Sequence, residues 1–347
     1  MRVLLDTSYA GRGQSGTAVY LERLAEALRA TGEVELVEAG SRSTRRPGGA
    51  NPLRSASNGL RDAAWLQLGL ARAARAAGAD VVHHAQPVLS RTLTAAQVVT
   101  VHDVAFESRP EGYGRVWRRV AGRQYRRAVR NADAVVCVSE STAAEAVALL
   151  GARRERMVVA HHGPGQSLPA VERREPPAHF LYVGDAEERK DVPSLLDAYR
   201  AYRAGGDGAL DLVLAGRAAR LAAGEGVRGE EDPDRRRLAE LFAGAAALVH
   251  PARHEGFGLP VLEAMAAGVP VLAVSSAGVR EVAGDAAMLV EPGELAGGLA
   301  RISRDGGLRQ RLAHAGTERA SAFSWERSAR LHLEAYTLAR QTQGRAR

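Results

Sequence analysis

Short apolar runs alternate along the chain with longer stretches in which apolar residues recur every three or four positions. In the first half the strand-like runs are Val3-Leu-Leu, Val34–Val37, Val81-Val82, Val98–Val101, Ala134–Val138 and Met157–Ala160. Helical patterns over 18–30, 62–77, 115–130 and 141–150 lie between them. After the charged, proline-bearing segment Glu172–Pro177 the rhythm restarts: Phe180–Val183, a helix over 192–204, Leu210–Ala215, a helix over 233–242, Ala246–His250, a helix over 260–267, Pro270–Val274 and Ala287–Val290. Strand, helix, strand in this rhythm predicts parallel sheets covered by helices, and the restart predicts two successive doubly wound α/β halves. Ligands of such sheets lie at the carboxyl ends of the strands, so two halves facing each other would share one cleft. Residues 40–61, rich in Gly, Ser, Pro and Arg, and 216–232, Gly-rich and charged, lack periodicity and read as mobile surface; 216–232 is expected to be a plain loop, and 40–61 either a plain loop or a functional one.

Composition narrows the class. A chain of 347 residues with 46% hydrophobic and 25% charged side chains is long enough for two cored domains and excludes fibrous, low-complexity and disulfide-scaffold proteins. The single cysteine, Cys137, sits in an apolar run and is expected to be a small buried hydrophobe, which suits a reducing cytoplasm. No apolar stretch of about 18 residues appears, and the amino terminus lacks a signal-peptide pattern. Charge is uneven: residues 1–170 carry 23 basic and 15 acidic side chains, a net +8, while residues 171–347 carry 24 and 25, a net −1. Of the 47 basic residues only Lys190 is lysine. A compact ammonium is not interchangeable with a guanidinium fork, so that position is marked before any motif is considered.

The segment His254-Glu-Gly-Phe-Gly-Leu-Pro-Val-Leu-Glu-Ala-Met-Ala-Ala-Gly268 places a glycine-bearing turn after a strand and a helix opening at Pro260. A helix amino terminus at the carboxyl end of a parallel strand attracts anions. Glu255 and Glu263, eight residues apart, can bracket a polyhydroxylated ligand, and the glycines let it come close. Glu263 lies between Val261-Leu262 and Ala264-Met265, where a carboxylate is costly without a partner.

This segment resembles the E-x7-E signature of the retaining glycosyltransferases of family 4, two-domain GT-B enzymes with paired Rossmann-like domains that take sugars from nucleoside diphosphates. The likeness extends to Leu181-Tyr-Val-Gly-Asp-Ala-Glu-Glu-Arg-Lys190, Leu212-Val-Leu-Ala-Gly216, Leu241–Pro251, Thr100-Val-His-Asp103 and Val138-Ser-Glu-Ser-Thr142. The resemblance implies a first, acceptor-binding domain over 1–170, a nucleotide-sugar domain over 178–325, and a terminal helix over 326–347 that returns to the first domain. It further implies that Arg189 and Lys190 hold the donor diphosphate and that Glu263 binds the ribose. Glu255 would face the sugar, with Gly256, Phe257, Gly258 and Leu259 offering backbone N–H groups. Gly16 would approach the diphosphate from the first domain, and His102 would lie near the transferred sugar. The expected donor is a UDP- or GDP-linked hexose, the expected acceptor a hydroxyl of a glycan, lipid or natural product, and no metal is required. His161-His162-Gly163 and Gly16-Thr-Ala-Val-Tyr20 depart from the family's usual Asn-Gly and Gly-Ile-Gly-Arg-Tyr.

Three further features stay open. Gly11-Arg-Gly-Gln-Ser-Gly16 followed by Glu38 fits a dinucleotide fingerprint, although the residues between strand and first glycine are too many for its tight turn. An NAD(P)-dependent enzyme, or a non-catalytic sugar-nucleotide binder, is thus the alternative. His83-His84 and His161-His162 are adjacent pairs whose members point to opposite faces, so neither chelates a metal as a unit. Residues 115–130 carry seven arginines with Trp117, Val120, Tyr125 and Val129 among them. This stretch reads first as a solvated helix packing its apolar side on the sheet, and second as a peripheral contact for anionic lipid; no nucleic-acid-binding module is present.

Overall fold

The computed structural model describes all residues except 11–14, 42–51, 166–167, 207 and 347, with the backbone alone at 52–56 and 346. The chain forms two compact units, Met1–Gly163 with Ser324–Arg347, and Pro164–Phe323. The first unit thus ends at Gly163, not at 170, and Ser324 and Trp325 go with the terminal helix.

In chain order the first unit contains β1 (Arg2–Asp6), α1 (Gly16–Thr31), β2 (Glu35–Ala39), α2 (Pro52–Ala64), a π-helical turn leading into α3 (Leu70–Ala77), β3 (Val81–His84), β4 (Ala96–Val101), α4 (Ala105–Ser108), α5 (Arg115–Asn131), β5 (Ala134–Cys137), α6 (Glu140–Leu150) and β6 (Met157–Val159). The second contains β7 (His179–Val183), α7 (Val192–Arg203), β8 (Asp211–Ala215), β9 (Val227–Glu230), α8 (Arg235–Ala243), β10 (Ala245–His250), α9 (Leu259–Ala266), β11 (Val271–Val274), α10 (Ala277–Ala283), β12 (Met288–Val290), α11 (Leu295–Arg304) and α12 (Gly306–Ala320). Helix α13 (Trp325–Ala346) then returns to the first unit.

Each unit is built on a six-stranded sheet, ordered β2-β1-β3-β4-β5-β6 and β12-β11-β10-β7-β8-β9. Every strand pair is parallel. Helices on both faces explain why β3, β5, β10 and β11 are buried at every position and read as continuous apolar runs instead of alternating ones. Two departures from the expected elements fall in the stretches expected as loops. Strand β9 and a 3-10 turn at Arg217–Leu221 occupy the stretch expected as loop over 216–232, because β9 is a polar, half-exposed edge strand with no apolar signature. Helix α2 likewise begins inside the expected 40–61 loop, of which 42–51 lie outside the described residues.

Side-chain hydroxyls start α1 and α6: Ser15 accepts a hydrogen bond from the Ala18 N–H (3.2 Å) and Ser139 one from the Thr142 N–H (3.0 Å). Helix α13 buries Trp325, Ala329, Leu333, Tyr336 and Ala339 in the cluster that also holds Leu24, Leu28 and Val98. Each large side chain so buried contributes roughly 1.5–3 kcal/mol. A polar chain threads this cluster, and one carbonyl fixes its direction. Ser328 O can only accept, so His332 Nδ1 donates to it (2.7 Å) and His332 Nε2 accepts from the Tyr20 hydroxyl (2.8 Å). Tyr20 in turn accepts from Thr100 (2.9 Å), Thr100 from His83 Nε2 (2.7 Å), and His83 Nδ1 from Tyr336 (2.9 Å). Burial and the neighbouring imidazoles push His83 well below its usual range, and burial lowers His332 to about 4, so both are neutral at pH 7. Cys137 is buried, and burial pushes its thiol up to about 12.

Candidate active site

The strand order of the second unit reverses between β7 and β10, and the crevice beyond the carboxyl ends of two such strands is where open α/β sheets bind ligands. The chain leaves β7 through Gly184 and passes a 3-10 turn at Glu188–Lys190. Asp191, left-handed at φ 49°, starts α7. Arg253 Nε, in the loop after β10, donates to Asp191 Oδ2, which ties the two loops together across the switch point.

Four side chains meet there. Lys190 Nζ donates to Glu255 Oε2, and His250 Nε2, at the very end of β10, reaches the same oxygen at 3.2 Å. Arg189 Nη1 stands 3.6 Å from Glu255 Oε1 and its Nε donates to Glu187 (2.9 Å). The Lys190 and Glu255 side chains are each only 11% exposed. Burial by itself would raise the Glu255 carboxyl. Lys190, the His250 hydrogen bond and Arg189 together overcome that and hold it well below the usual carboxylate range. His250 is lowered by burial, against the pull of Glu255, and so donates as a neutral imidazole. Lys190, Arg189, Glu255 and the neutral His250 sum to +1, and Glu187, half-exposed, offsets that charge from the solvent side through Arg189; the two cations stand in a partly desolvated crevice, where they act on an incoming anion more strongly than in bulk water.

The turn and helix after Glu255 need particular backbone. Gly258 adopts φ 100° ahead of α9, a conformation that disfavours any side chain. Phe257 is buried against Phe323, with ring centroids 6.0 Å apart, so what it can offer a ligand is main chain. Leu259, half-buried, opens α9, and Glu263 is buried on the same helix. Gly256 lies beside Gly278 of α10, where a Cβ would stand 2.1 Å from the Glu255 carbonyl oxygen and 3.0 Å from the Gly256 carbonyl carbon.

Lys190, Arg189 and Glu255 are therefore in direct contact, with Gly256 to Glu263 running on from them. Gly16 and His102 belong to the first unit. Gly16 is the exposed first residue of α1. His102 follows β4 and lies edge-on to Tyr20 (4.9 Å, 85°). Its Nε2 stands 3.0 Å from the Ala85 carbonyl, which can only accept; the proton is on Nε2 and the Nδ1 lone pair is left to receive a hydroxyl. Burial, only partly opposed by Asp103 and that hydrogen bond, lowers its pKa to about 4. His162 stacks on Trp325 (5.3 Å, 19°). Among the described residues no group of three or more His, Cys, Asp and Glu could hold a metal. Residues 11–14 of the glycine fingerprint lie outside the described residues, and Glu38, the acid that fingerprint would require, pairs with Arg29.

His250, Gly278 and the Asp191–Arg253 tie were not singled out from the sequence. His250 carried a signal, a polar residue closing an apolar strand; Gly278 carried none, since its constraint comes from a backbone 23 residues earlier.

Residues 14–164 match the glycosyltransferase family 4 domain and residues 167–319 the glycosyl transferases group 1 domain, in the order of the two units. The chain belongs to this glycosyltransferase family. It is 27% identical over 271 residues, 70% of each chain, to the O-antigen chain mannosyltransferase B of Escherichia coli. Among solved structures it is similar to the sucrose-phosphate synthase of Thermosynechococcus elongatus (TM-score 0.76, 19% identity, covering 97% of this chain and 98% of that one). It is also similar to Anabaena HepE in complex with UDP-glucose (TM-score 0.66, 16% identity, covering 97% and 99%). At those identities the likeness establishes the fold: two Rossmann-like domains of the GT-B type. The glycosyltransferase is thus an enzyme, and neither a dehydrogenase nor a binding module describes it.

Proposed function

We propose that this glycosyltransferase moves a hexose from a UDP- or GDP-linked donor to a hydroxyl acceptor with retention at the anomeric carbon. The observation that carries the reading is the Arg189–Lys190–Glu255–His250 cluster, with its two partly desolvated cations, at the switch point of the second sheet. Arg189 and Lys190 hold the diphosphate, Glu263 the ribose, and Glu255 the sugar, helped by main-chain groups of Gly256, Phe257, Gly258 and Leu259. Gly16 approaches the diphosphate and His102 accepts a hydroxyl hydrogen bond at Nδ1.

In the reaction the bond from the anomeric carbon to the β-phosphate oxygen breaks, the acceptor oxygen bonds to that carbon on the same face, and the acceptor proton passes to the leaving phosphate. Charge grows on the β-phosphate as this happens, and fixed cations in a crevice that excludes much of the water stabilise it without reorganising. Lys190 and Arg189 thereby do the work a divalent ion would do, so turnover requires no metal. Glu255 also pairs with Lys190, and so sets where the ammonium stands before donor binds. A mannosyltransferase among the relatives and a UDP-glucose complex among the structural neighbours support the donor class.

Mass spectrometry of products from a panel of UDP-, GDP- and dTDP-sugars, with and without EDTA, tests the reading. Sugar transfer that survives EDTA, with the anomeric configuration retained by NMR, is expected. Absence of transfer or hydrolysis with every donor would overturn it, and EDTA inactivation reversed by magnesium or manganese would overturn the assignment of charge neutralisation to the protein's cations.

A further inference from the structure

Helix α5 has two apolar faces, and only one of them is covered. Ala121, Ala128 and Val129 are buried in the first unit's core, with Tyr125 packed against it. Trp117 and Val120, expected to pack on the sheet, are instead 55% and 59% exposed, and Val116 beside them is 78% exposed. At 100° per residue these three fall on one stripe, the side of the helix turned away from the core. Trp117 is stacked on Tyr113 (5.4 Å, 14°), so a broad aromatic plate stands beside the two valines. The charges on this side are equally unusual. Arg115, Arg119, Arg123 and Arg127 are exposed in a row that winds past the valines on the side away from Trp117, Arg123 and Arg127 coming beside Val116, and none of the four has an ion-pair partner among the described residues. The helix contains no acidic residue. Among the described residues its ion pair is Arg126 with Glu107 of α4 at 2.8 Å. A helix meant only for water would carry acids interleaved with its arginines and would not expose a tryptophan and two valines together.

We propose that this face docks the enzyme on an anionic lipid surface. Val116, Trp117 and Val120 enter the interface between headgroups and acyl chains, and Arg115, Arg119, Arg123 and Arg127 pair with lipid phosphates around them. Tryptophan and tyrosine suit that depth because one end of each ring is apolar and the other polar. Among the described residues no helix is long and apolar enough to cross a membrane, so the contact is peripheral and reversible.

Co-sedimentation of the full chain with vesicles of phosphatidylcholine alone, and of phosphatidylcholine with phosphatidylglycerol, tests this. Binding is expected only with phosphatidylglycerol present, falling as salt is raised. Arg119→Gln/Arg123→Gln should weaken it on the order of tenfold or more, taking about fivefold per arginine near an anionic surface. Trp117→Ser/Val120→Ser should weaken it about tenfold, with a fall of a few degrees in the thermal midpoint from the lost ring contacts of Trp117 with Tyr113 and Phe106 that leaves the protein folded. The fluorescence lost in Trp117→Phe should be the part that shifts to the blue on vesicles. No binding to anionic vesicles, equal binding to neutral ones, or full binding by these variants would overturn the proposal. So would a dimer in sedimentation velocity that Trp117→Ser/Val120→Ser abolishes, which would give the face to a second copy of the chain.

Discussion

Replacing Lys190 with Met removes one charge and keeps the length of the side chain, and the structure dictates what is left. Glu255 would remain a carboxylate in a site where its side chain is 11% exposed, held by a neutral His250 at 3.2 Å and by Arg189 at 3.6 Å. Breaking a buried pair from one side costs about 3–5 kcal/mol, because the orphaned charge keeps its desolvation penalty. Two remaining partners reduce that to about 2–3 kcal/mol, a fall of roughly 5–10 °C in the thermal midpoint for a unit of this size. Lys190→Met/Glu255→Gln removes both charges and should recover most of the loss, so the double-mutant cycle reports a coupling of about 2 kcal/mol. The pH dependence has a definite sign. A carboxyl depressed in the folded state stabilises above its unfolded pKa, and that stability is lost as pH falls through the folded value. Lys190→Met lacks most of this term, so its deficit is greatest near neutrality and shrinks under acid. Scanning calorimetry at pH 7 and pH 4 measures both effects. A single-variant loss below 1 kcal/mol with no recovery in the double variant would refute the view of Glu255 as a buried, partner-dependent carboxylate.

Three other outcomes are expected. Gly278→Ala puts a methyl group 2.1 Å from the Glu255 carbonyl, so it should destabilise the protein by about 3 kcal/mol and depress transfer, whereas Gly297→Ala, with open space around its Cβ, should do neither; normal activity of Gly278→Ala would contradict the packing. His102 is neutral throughout the physiological range, so kcat/KM should show no inflection near 6.5 that disappears in His102→Gln, and any loss tied to this residue should come only as pH approaches about 4. Glu263→Gln should chiefly raise KM for donor and Glu255→Gln should chiefly lower kcat, since ribose contacts bind ground and transition states alike while contacts to the reacting sugar strengthen in the transition state; the reverse pattern in steady-state kinetics would exchange the two roles.

Sequence pattern and structure agree where a segment's surroundings are simple. Phe180–Val183 is apolar throughout because helices cover both its faces, and it lies within β7. The lone lysine and the Glu255–Glu263 segment, 65 residues apart in sequence at Lys190 and Glu255, were marked separately, and the fold brings Lys190 onto Glu255. Positions whose role comes from a distant partner were silent. The tautomer of His102 is set by a carbonyl 17 residues earlier, and β9 is recognisable only by its hydrogen bonds to β8. Trp117 and Val120 had the right spacing for a buried stripe, but periodicity cannot tell which of two apolar faces meets the core.

Because the first unit is assembled from both ends of the chain, its completion is bound to the timing of synthesis. When residue 163 has left the ribosome, the sheet of that unit is whole, yet the surface that receives Trp325, Leu333 and Tyr336 is bare, and Tyr20, Thr100 and His83 have no carbonyl at the end of their chain. The second unit, Pro164–Phe323, must be translated first, which at 5–20 residues per second takes roughly 10–30 s. During that interval the newborn protein is a finished-looking sheet with an apolar flank and an unclosed polar relay. A ribosome stalled before Trp325 would therefore display the apolar surface that helix α13 otherwise covers.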